Sequence, residues 1–263
     1  MSVTVEIAPL PAEASTVALP PHPATGPLLS VVIPVHNEQE TIRPNLEPML
    51  RQLRELTTSL EILFVENGST DNTRAVIEAL RESHPEVRLL VLPVADYGAA
   101  LRTGMEGASG SVIASVDIDY WDVPFVRDAL MLVQHRFDIV IGSKNLRLSS
   151  DHRALLRRIV SRGFRVALSI GFGLRVSDTH GIKVWKQSCI LRQLMQQVRF
   201  THSLFDTELI LRAEQHGLRI VELPVEVTET RRSPWKLVRR VPRTALELVA
   251  LRFVLWREWK PPR

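Results

Sequence analysis

Two carboxylates stand one residue apart in Asp117-Ile118-Asp119, directly after the apolar run Ser111-Val112-Ile113-Ala114-Ser115-Val116. That run reads as a buried strand. Acids just past the carboxyl end of a parallel strand lie where open α/β sheets bind ligands. Carboxylate oxygens suit a hard divalent cation, and such a cation can hold a diphosphate. A D-x-D triplet is also common in solvated loops, so the segments around it decide its meaning.

Strand-like and helix-like segments alternate from Leu29 to about Ile141. The predicted strands are Leu28 to Pro34, Glu61 to Val65, Val87 to Leu92, Ser111 to Val116 and Phe137 to Ile141. Helices are predicted from Gln39 to Leu56, from a Ser69 or Thr70 cap to Glu82, from Tyr97 to Gly107, and from Pro124 to His135. Such alternation argues for an α/β fold with a mostly parallel sheet and helices on both faces. Right-handed crossovers then gather the loops Pro34 to Glu38, Glu66 to Ser69 and Asp117 to Asp122 along one rim.

The second half reads as more helical. One helix is expected from Arg153 to Ile170, with Leu155, Ile159, Val166 and Ile170 on one arc and Arg158, Arg162 and Arg165 clustered on the helix surface. Another runs from Ser203 to His216, a strand from Ile220 to Val227 is broken at Pro224, and a last helix spans Val238 to Glu258. That last helix combines an apolar face with a preceding basic run, so it suits either packing or a membrane surface.

Composition bounds the class. Hydrophobic content of 45% and charged content of 24% describe a globular chain with a sizeable core. Cys189 is the single cysteine, so no intrachain disulfide can form, which fits a cytoplasmic address. No apolar run is long enough to predict a membrane span. Residues 1–28 hold six of the 17 prolines and no apolar period, so they read as a disordered tail, followed by a catalytic domain over 29–236 and a helical extension over 237–263. Arg231, Arg232, Lys236, Arg239, Arg240 and Arg243 form a stretch without acids. It suits phosphate-bearing partners. Nucleic acid is disfavoured, because the basic stretches carry no recognised reader motif. Neither G-x-G-x-x-G after the first strand nor a P-loop occurs.

Six ordered segments, "SVVIPVHNEQETI", "EILFVENGSTDNT", "YGAALRTGMEGASGSVIASVDID", "IVIGSK", "SDTHGIKVWK" and "FDTELILRAEQHGLRIVELPVEV", carry a resemblance. The chain resembles the family 2 glycosyltransferases of the nucleotide-diphospho-sugar transferase (GT-A) fold. Within them it is similar to dolichol-phosphate mannosyltransferase and its bacterial polyprenyl-phosphate relatives. The resemblance implies Mg²⁺ or Mn²⁺ at Asp117 and Asp119, and a donor site drawing on Pro34, His36, Glu38, Glu66, Asn67, Ile118, Lys144, Arg231, Arg232 and Lys236. Asp178, His180 and Lys183 match an acceptor-side turn. Three positions depart from the family pattern. Asn67 replaces an aspartate, Trp121 stands where a glutamine is frequent, and Ser233, Pro234 and Trp235 alter the diphosphate loop. With Trp121 unable to ligate, either water or Asp122 completes the metal's shell, or the site differs from the family's.

The implied reaction is inverting transfer of a hexose from a GDP-mannose or UDP-glucose type donor. A hydroxyl acceptor needs a general base, for which Asp206 or Glu208 is the candidate by position. A phosphate acceptor is already an anion, and Lys144, Lys183 and the arginine face favour a polyprenyl phosphate, with peripheral membrane contact. Two readings stay open beside it: a transferase making a soluble glycoside or polysaccharide from a UDP-sugar, and a non-catalytic nucleotide-sugar-binding relative. The sequence carries no signal for oligomeric state.

Overall fold

The computed structural model describes residues 29–144, 146, 155–225 and 234–258, with the backbone alone for 155–161, 203 and 234–243. Strand β1 (Leu29–Val35) is followed by helix α1 (Ile42–Leu56), β2 (Leu60–Asn67), α2 (Thr73–Ser83), β3 (Val87–Leu92), α3 (Tyr97–Gly107), β4 (Val112–Ser115), α4 (Val123–His135) and β5 (Ile139–Ser143). Then come α5 (Leu155–Phe172), β6 (Lys183–Lys186), α6 (Cys189–Gln197), a 3₁₀ turn (His202–Leu204), α7 (Phe205–Gln215), β7 (Ile220–Pro224) and α8 (Pro234–Glu258).

The seven strands form one sheet in the order β3-β2-β1-β4-β6-β5-β7, parallel except for β6. Both faces are covered, which is why its strands read as unbroken apolar runs. Alternation along β1 and β2 sends Val31, Ile33, Ile62 and Phe64 to one face, against α1, α2 and α4. It sends Val32, Leu63 and Val65 to the other, against α3, α5, α6, α7 and α8. The chain therefore builds an α/β sandwich of three layers.

The strand order reverses at β1, with β2 on one side and β4 on the other. Loops leaving β1 and β4 diverge there and open the crevice in which such sheets take ligands. The D-x-D triplet follows β4, so this reversal places it at the mouth of that crevice.

Several expectations are corrected. Ser69 and Thr70 do not cap α2, which begins at Thr73; Asp71 Oδ1 accepts from the Thr73 N–H at 2.9 Å instead. Ser69 and Thr70 bind Asn37, tying the loop after β2 to the loop after β1. β6 and α6 were not anticipated. β6 carries a four-residue pattern too short to declare itself. On α5, Val166 and Ile170 are 49% and 83% exposed, while Leu168 is buried. Val166 and Ile170, expected on one arc, thus lie on the outer side of the helix. α8 starts at Pro234 and buries Leu251 and Leu255 in the second core.

Candidate active site

β1 runs to Val35, so Pro34 lies within the strand and His36, Asn37 and Glu38 form the loop. Asn37 adopts φ +55°, a conformation asparagine tolerates better than most residues. That turn lets its N–H donate to Ser69 Oγ at 3.0 Å and its Oδ1 accept from the Thr70 N–H at 2.8 Å. His36 Nδ1 lies 2.8 Å from the Asn67 carbonyl, and the Glu38 N–H donates to Thr73 Oγ1 at 2.7 Å. The loops after β1 and β2 are one hydrogen-bonded unit.

Glu66 and Asn67 close β2 and are buried. Glu66 Oε1 accepts from the Ser69 N–H at 2.5 Å, and Asn67 Oδ1 accepts from the Asp96 N–H at 2.7 Å. These oxygens shape the loops. Each of these oxygens already accepts one backbone N–H.

Asp117 and Asp119 stand half-buried in the turn after β4, where the Tyr120 N–H donates to the Asp117 carbonyl at 3.1 Å. Ile118 between them is buried and anchors the turn. Asp122 is the N-cap of α4, its Oδ1 accepting from the Phe125 N–H at 2.9 Å. Trp121 packs against the first core. Among the described residues no group of three His, Cys, Asp or Glu donors could hold a metal. Two carboxylates at a rim fit a Mg²⁺-like ion, which retains waters and takes substrate phosphates as ligands. Asp117 and Asp119 would hold that ion, with Asp122 engaged as a cap.

β6 explains how the turn expected on the acceptor side reaches this rim. Because β6 runs antiparallel, its first residue, Lys183, pairs with Ser115 of β4 and Ile141 of β5 near their carboxyl ends. The preceding turn, Asp178 to Gly181, is thereby delivered beside the D-x-D triplet. Gly181 permits the approach: a Cβ there would stand 2.0 Å from the Gly142 carbonyl oxygen.

Asp178 pairs with Lys144, Oδ2 to Nζ 3.0 Å, and accepts from the His180 N–H at 3.0 Å. Burial pushes its pKa upward, but Lys144 and the His180 N–H outweigh that and hold it below the usual carboxylate value. Glu222 of β7 anchors the turn, accepting from the N–H groups of Ser177 and Asp178. His180 stands edge-on to Phe164 at 5.2 Å between ring centroids. Neighbouring protein desolvates the imidazole and lowers its pKa, against the pull of the Asp206 and Asp178 carboxylates, although the residue keeps an exposed edge.

Asp206 and Glu208 share the first turn of α7 but differ in surroundings. Glu208 Oε2 accepts from the Arg199 and Phe200 N–H groups at 2.9 and 2.8 Å, and Oε1 accepts from Arg212 Nε at 2.8 Å. Both of its oxygens serve the fold. Asp206 Oδ2 pairs with Lys183 Nζ at 3.2 Å, and its Oδ1 meets no hydrogen-bond donor among the described residues.

Tyr97, which carries no local motif, also faces this charged rim. It opens α3 with 39% of its surface accessible. Burial of its hydroxyl, then the Asp206 and Asp117 carboxylates, raise its pKa well above the ordinary phenol value. The hydroxyl thus lies within electrostatic reach of both the D-x-D turn and α7. Its position before Gly98, at the start of a predicted helix, was the available signal. Arg231 and Arg232 lie outside the described residues, and of Lys236 only the backbone, in α8, is described.

Comparison with known proteins agrees with this geometry. The family model for glycosyl transferase family 2 matches residues 30–185, more than half of the chain. The chain belongs to glycosyl transferase family 2. Family 2 relatives include a dolichyl-phosphate beta-glucosyltransferase of Trichomonas vaginalis, 27% identical over 235 residues (84% of this chain, 69% of the relative). A dolichyl-phosphate beta-glucosyltransferase of Dictyostelium discoideum is 25% identical over 249 residues (88% of this chain, 76% of the relative). The fold is shared with crystal structures of glucosyl-3-phosphoglycerate synthase from Mycobacterium tuberculosis. The complex with uridine-diphosphate superposes with a TM-score of 0.59 at 22% identity, covering 86% of this chain and 80% of that one. The complex with Mn²⁺, uridine-diphosphate and phosphoglyceric acid gives 0.61 at 20% identity, covering 86% and 78%.

Proposed function

We propose that this family 2 glycosyltransferase moves a hexose from a UDP-glucose type donor to a polyprenyl phosphate, with inversion at the anomeric carbon. The observation that carries the reading is the meeting of three elements at the crevice beside β1. They are the D-x-D turn after β4, the Asp178 to Lys183 turn delivered by antiparallel β6, and Asp206 on α7. The two dolichyl-phosphate glucosyltransferase relatives support a lipid phosphate as acceptor. A UDP donor is supported by the ligands of the structures that share the fold.

In this reading His36, Asn37 and Glu38 form the wall against the nucleoside, held by Ser69, Thr70 and Thr73. Asp117 and Asp119 hold Mg²⁺ or Mn²⁺, which when bound neutralises charge on the departing nucleoside diphosphate. Lys144 and His180 flank the acceptor phosphate, Lys183 supports them from its buried pair with Asp206, and Arg231, Arg232 and Lys236 add positive charge to the donor diphosphate. Asp206, whose Oδ1 meets no donor among the described residues, is the candidate acid of α7, and Glu208 supports the start of that helix. A phosphate acceptor needs no proton removed, so positioning and charge carry most of the rate. A lipid acceptor also requires a peripheral contact with the bilayer.

The test is a thermal-shift panel of UDP-, GDP- and dTDP-sugars with and without Mn²⁺, followed by transfer of labelled sugar to a prenyl phosphate. A UDP-sugar is expected to raise the melting temperature only with metal, since a ligand stabilises the state it binds. Metal-independent shifts, or transfer to hydroxyl acceptors alone, would sink the reading.

A further inference from the structure

Helix α8 has two apolar faces. Leu251 and Leu255 are buried in the second core. On the opposite side Leu246, Val249, Phe253 and Trp256 are 73%, 71%, 59% and 65% exposed. Spaced three, four and three residues apart, they form one stripe along the helix. At 100° per residue, the exposed Arg252 borders one side of this stripe and the exposed Arg257 the other. The acids of α8 are turned elsewhere. Glu258 pairs with Arg199 and Arg212, and Glu247 falls on the side of the buried leucines.

α5 packs against α8 and repeats the arrangement. Its outer side carries exposed Arg162, Val166 and Ile170. Its inner side carries Leu168, in the core, and Phe164, whose ring meets His180 of the acceptor-side turn. One helix thus has the apolar and basic surface on one side and the candidate active site on the other.

Charge decides what covers this surface. A second copy of the chain packing stripe to stripe would set arginines against arginines, with no acid on the stripe to neutralise them. An anionic bilayer accepts the apolar side chains and attracts the flanking arginines at once. We propose that the outer faces of α5 and α8 lie in the surface of an anionic membrane and hold the Asp178 to Lys183 turn where a lipid phosphate emerges. The proposal deepens the reading of the acceptor as a polyprenyl phosphate and rests on it.

The experiment is flotation of the full chain with vesicles of phosphatidylcholine plus phosphatidylglycerol, and with phosphatidylcholine alone. It compares the unaltered protein with Phe253→Ser/Trp256→Ser and with Arg252→Glu/Arg257→Glu. All four positions are exposed, and unchanged melting temperatures check that the variants fold. The unaltered protein is expected to float with anionic vesicles, and each double variant to bind roughly tenfold less or weaker still. Transfer to a long polyprenyl phosphate in vesicles should fall in parallel, while transfer to a short, water-soluble prenyl phosphate stays unchanged. Failure of the unaltered protein to float, or equal flotation of the variants, overturns the proposal. So does a dimer in light scattering that the variants dissolve without any flotation, which would assign the stripe to a second copy. Stripe-dependent flotation with no transfer to either prenyl phosphate upholds the membrane surface and removes the acceptor reading.

Discussion

Lys183 and Asp206 lie 3.2 Å apart, Nζ to Oδ2, with each side chain only 2% exposed. The lysine is the first residue of β6 and the acid sits in the first turn of α7, so the pair pins the sheet to the helical layer at the rim of the crevice. Lys183 also donates to the Gly181 carbonyl at 2.7 Å. Asp206 Oδ1 remains a buried acceptor without a donor among the described residues, an atom that a bound hydroxyl or water would satisfy.

Removing one partner leaves a buried charge unpaired. Lys183→Met and Asp206→Asn are each expected to destabilise the protein by roughly 3–5 kcal/mol. The double variant should lose clearly less than the sum, because neither charge is then stranded. Urea unfolding of the four proteins measures this, and additive losses would show that the pair is not coupled.

Asp206 and Glu208 should separate by phenotype. Glu208→Gln weakens a saturated buried cluster with Arg212, so its main effect is a lowered melting temperature. Asp206→Asn should cost about tenfold with a prenyl phosphate acceptor but roughly 10²–10⁴-fold with any hydroxyl acceptor, which needs a base. Initial rates with both acceptor types decide it. An equal and large loss with both would place Asp206 in a role other than proton removal.

Asp119→Ala is expected to abolish the Mn²⁺-dependent stabilisation by a UDP-sugar, with the unliganded melting temperature measured beside it as the check on folding. Asp117→Asn should behave alike. Calorimetric titration of Mn²⁺ with UDP checks it, and retained metal-dependent binding in both variants would remove the two acids from the donor site.

Asp178 makes stability depend on acid. Its folded pKa lies below the ordinary 3.8, so the unfolded chain binds more protons as pH falls. The contribution is fully present above pH 3.8 and is lost as pH drops through the lower folded value. Lys144→Met removes the cation opposing burial, so the midpoint of acid unfolding should move to higher pH. Fluorescence of buried Trp185 during an acid titration reads this, and an unmoved midpoint would count against the pair.

Gly181→Ala places a methyl against the Gly142 carbonyl oxygen. The turn can relieve this only by moving, which shifts His180 and Lys183. A loss of transfer larger than the loss of stability is expected, measured as kcat beside melting temperature. Full activity would mean that the turn does not position the acceptor.

The first five strands and four helices were legible because each is a local pattern. Apolar runs of strand length, amphipathic helices and their punctuation sit within a few residues of one another, and right-handed crossovers do the rest. The D-x-D triplet was legible for the same reason, as acids directly after a buried strand. What local pattern cannot express was decided by distant segments. β6 is four residues long and exists because β4 and β5 flank it, and only its antiparallel direction brings Lys183 to the D-x-D rim. Asp206 and Glu208 carry the same local signal, two acids in one helical turn, and their surroundings alone distinguish an ion-paired acid with an open oxygen from a saturated one. Helical periodicity located the apolar arc of α5 without revealing that Val166 and Ile170 face outward, since an arc has no direction until a core forms against one side of it.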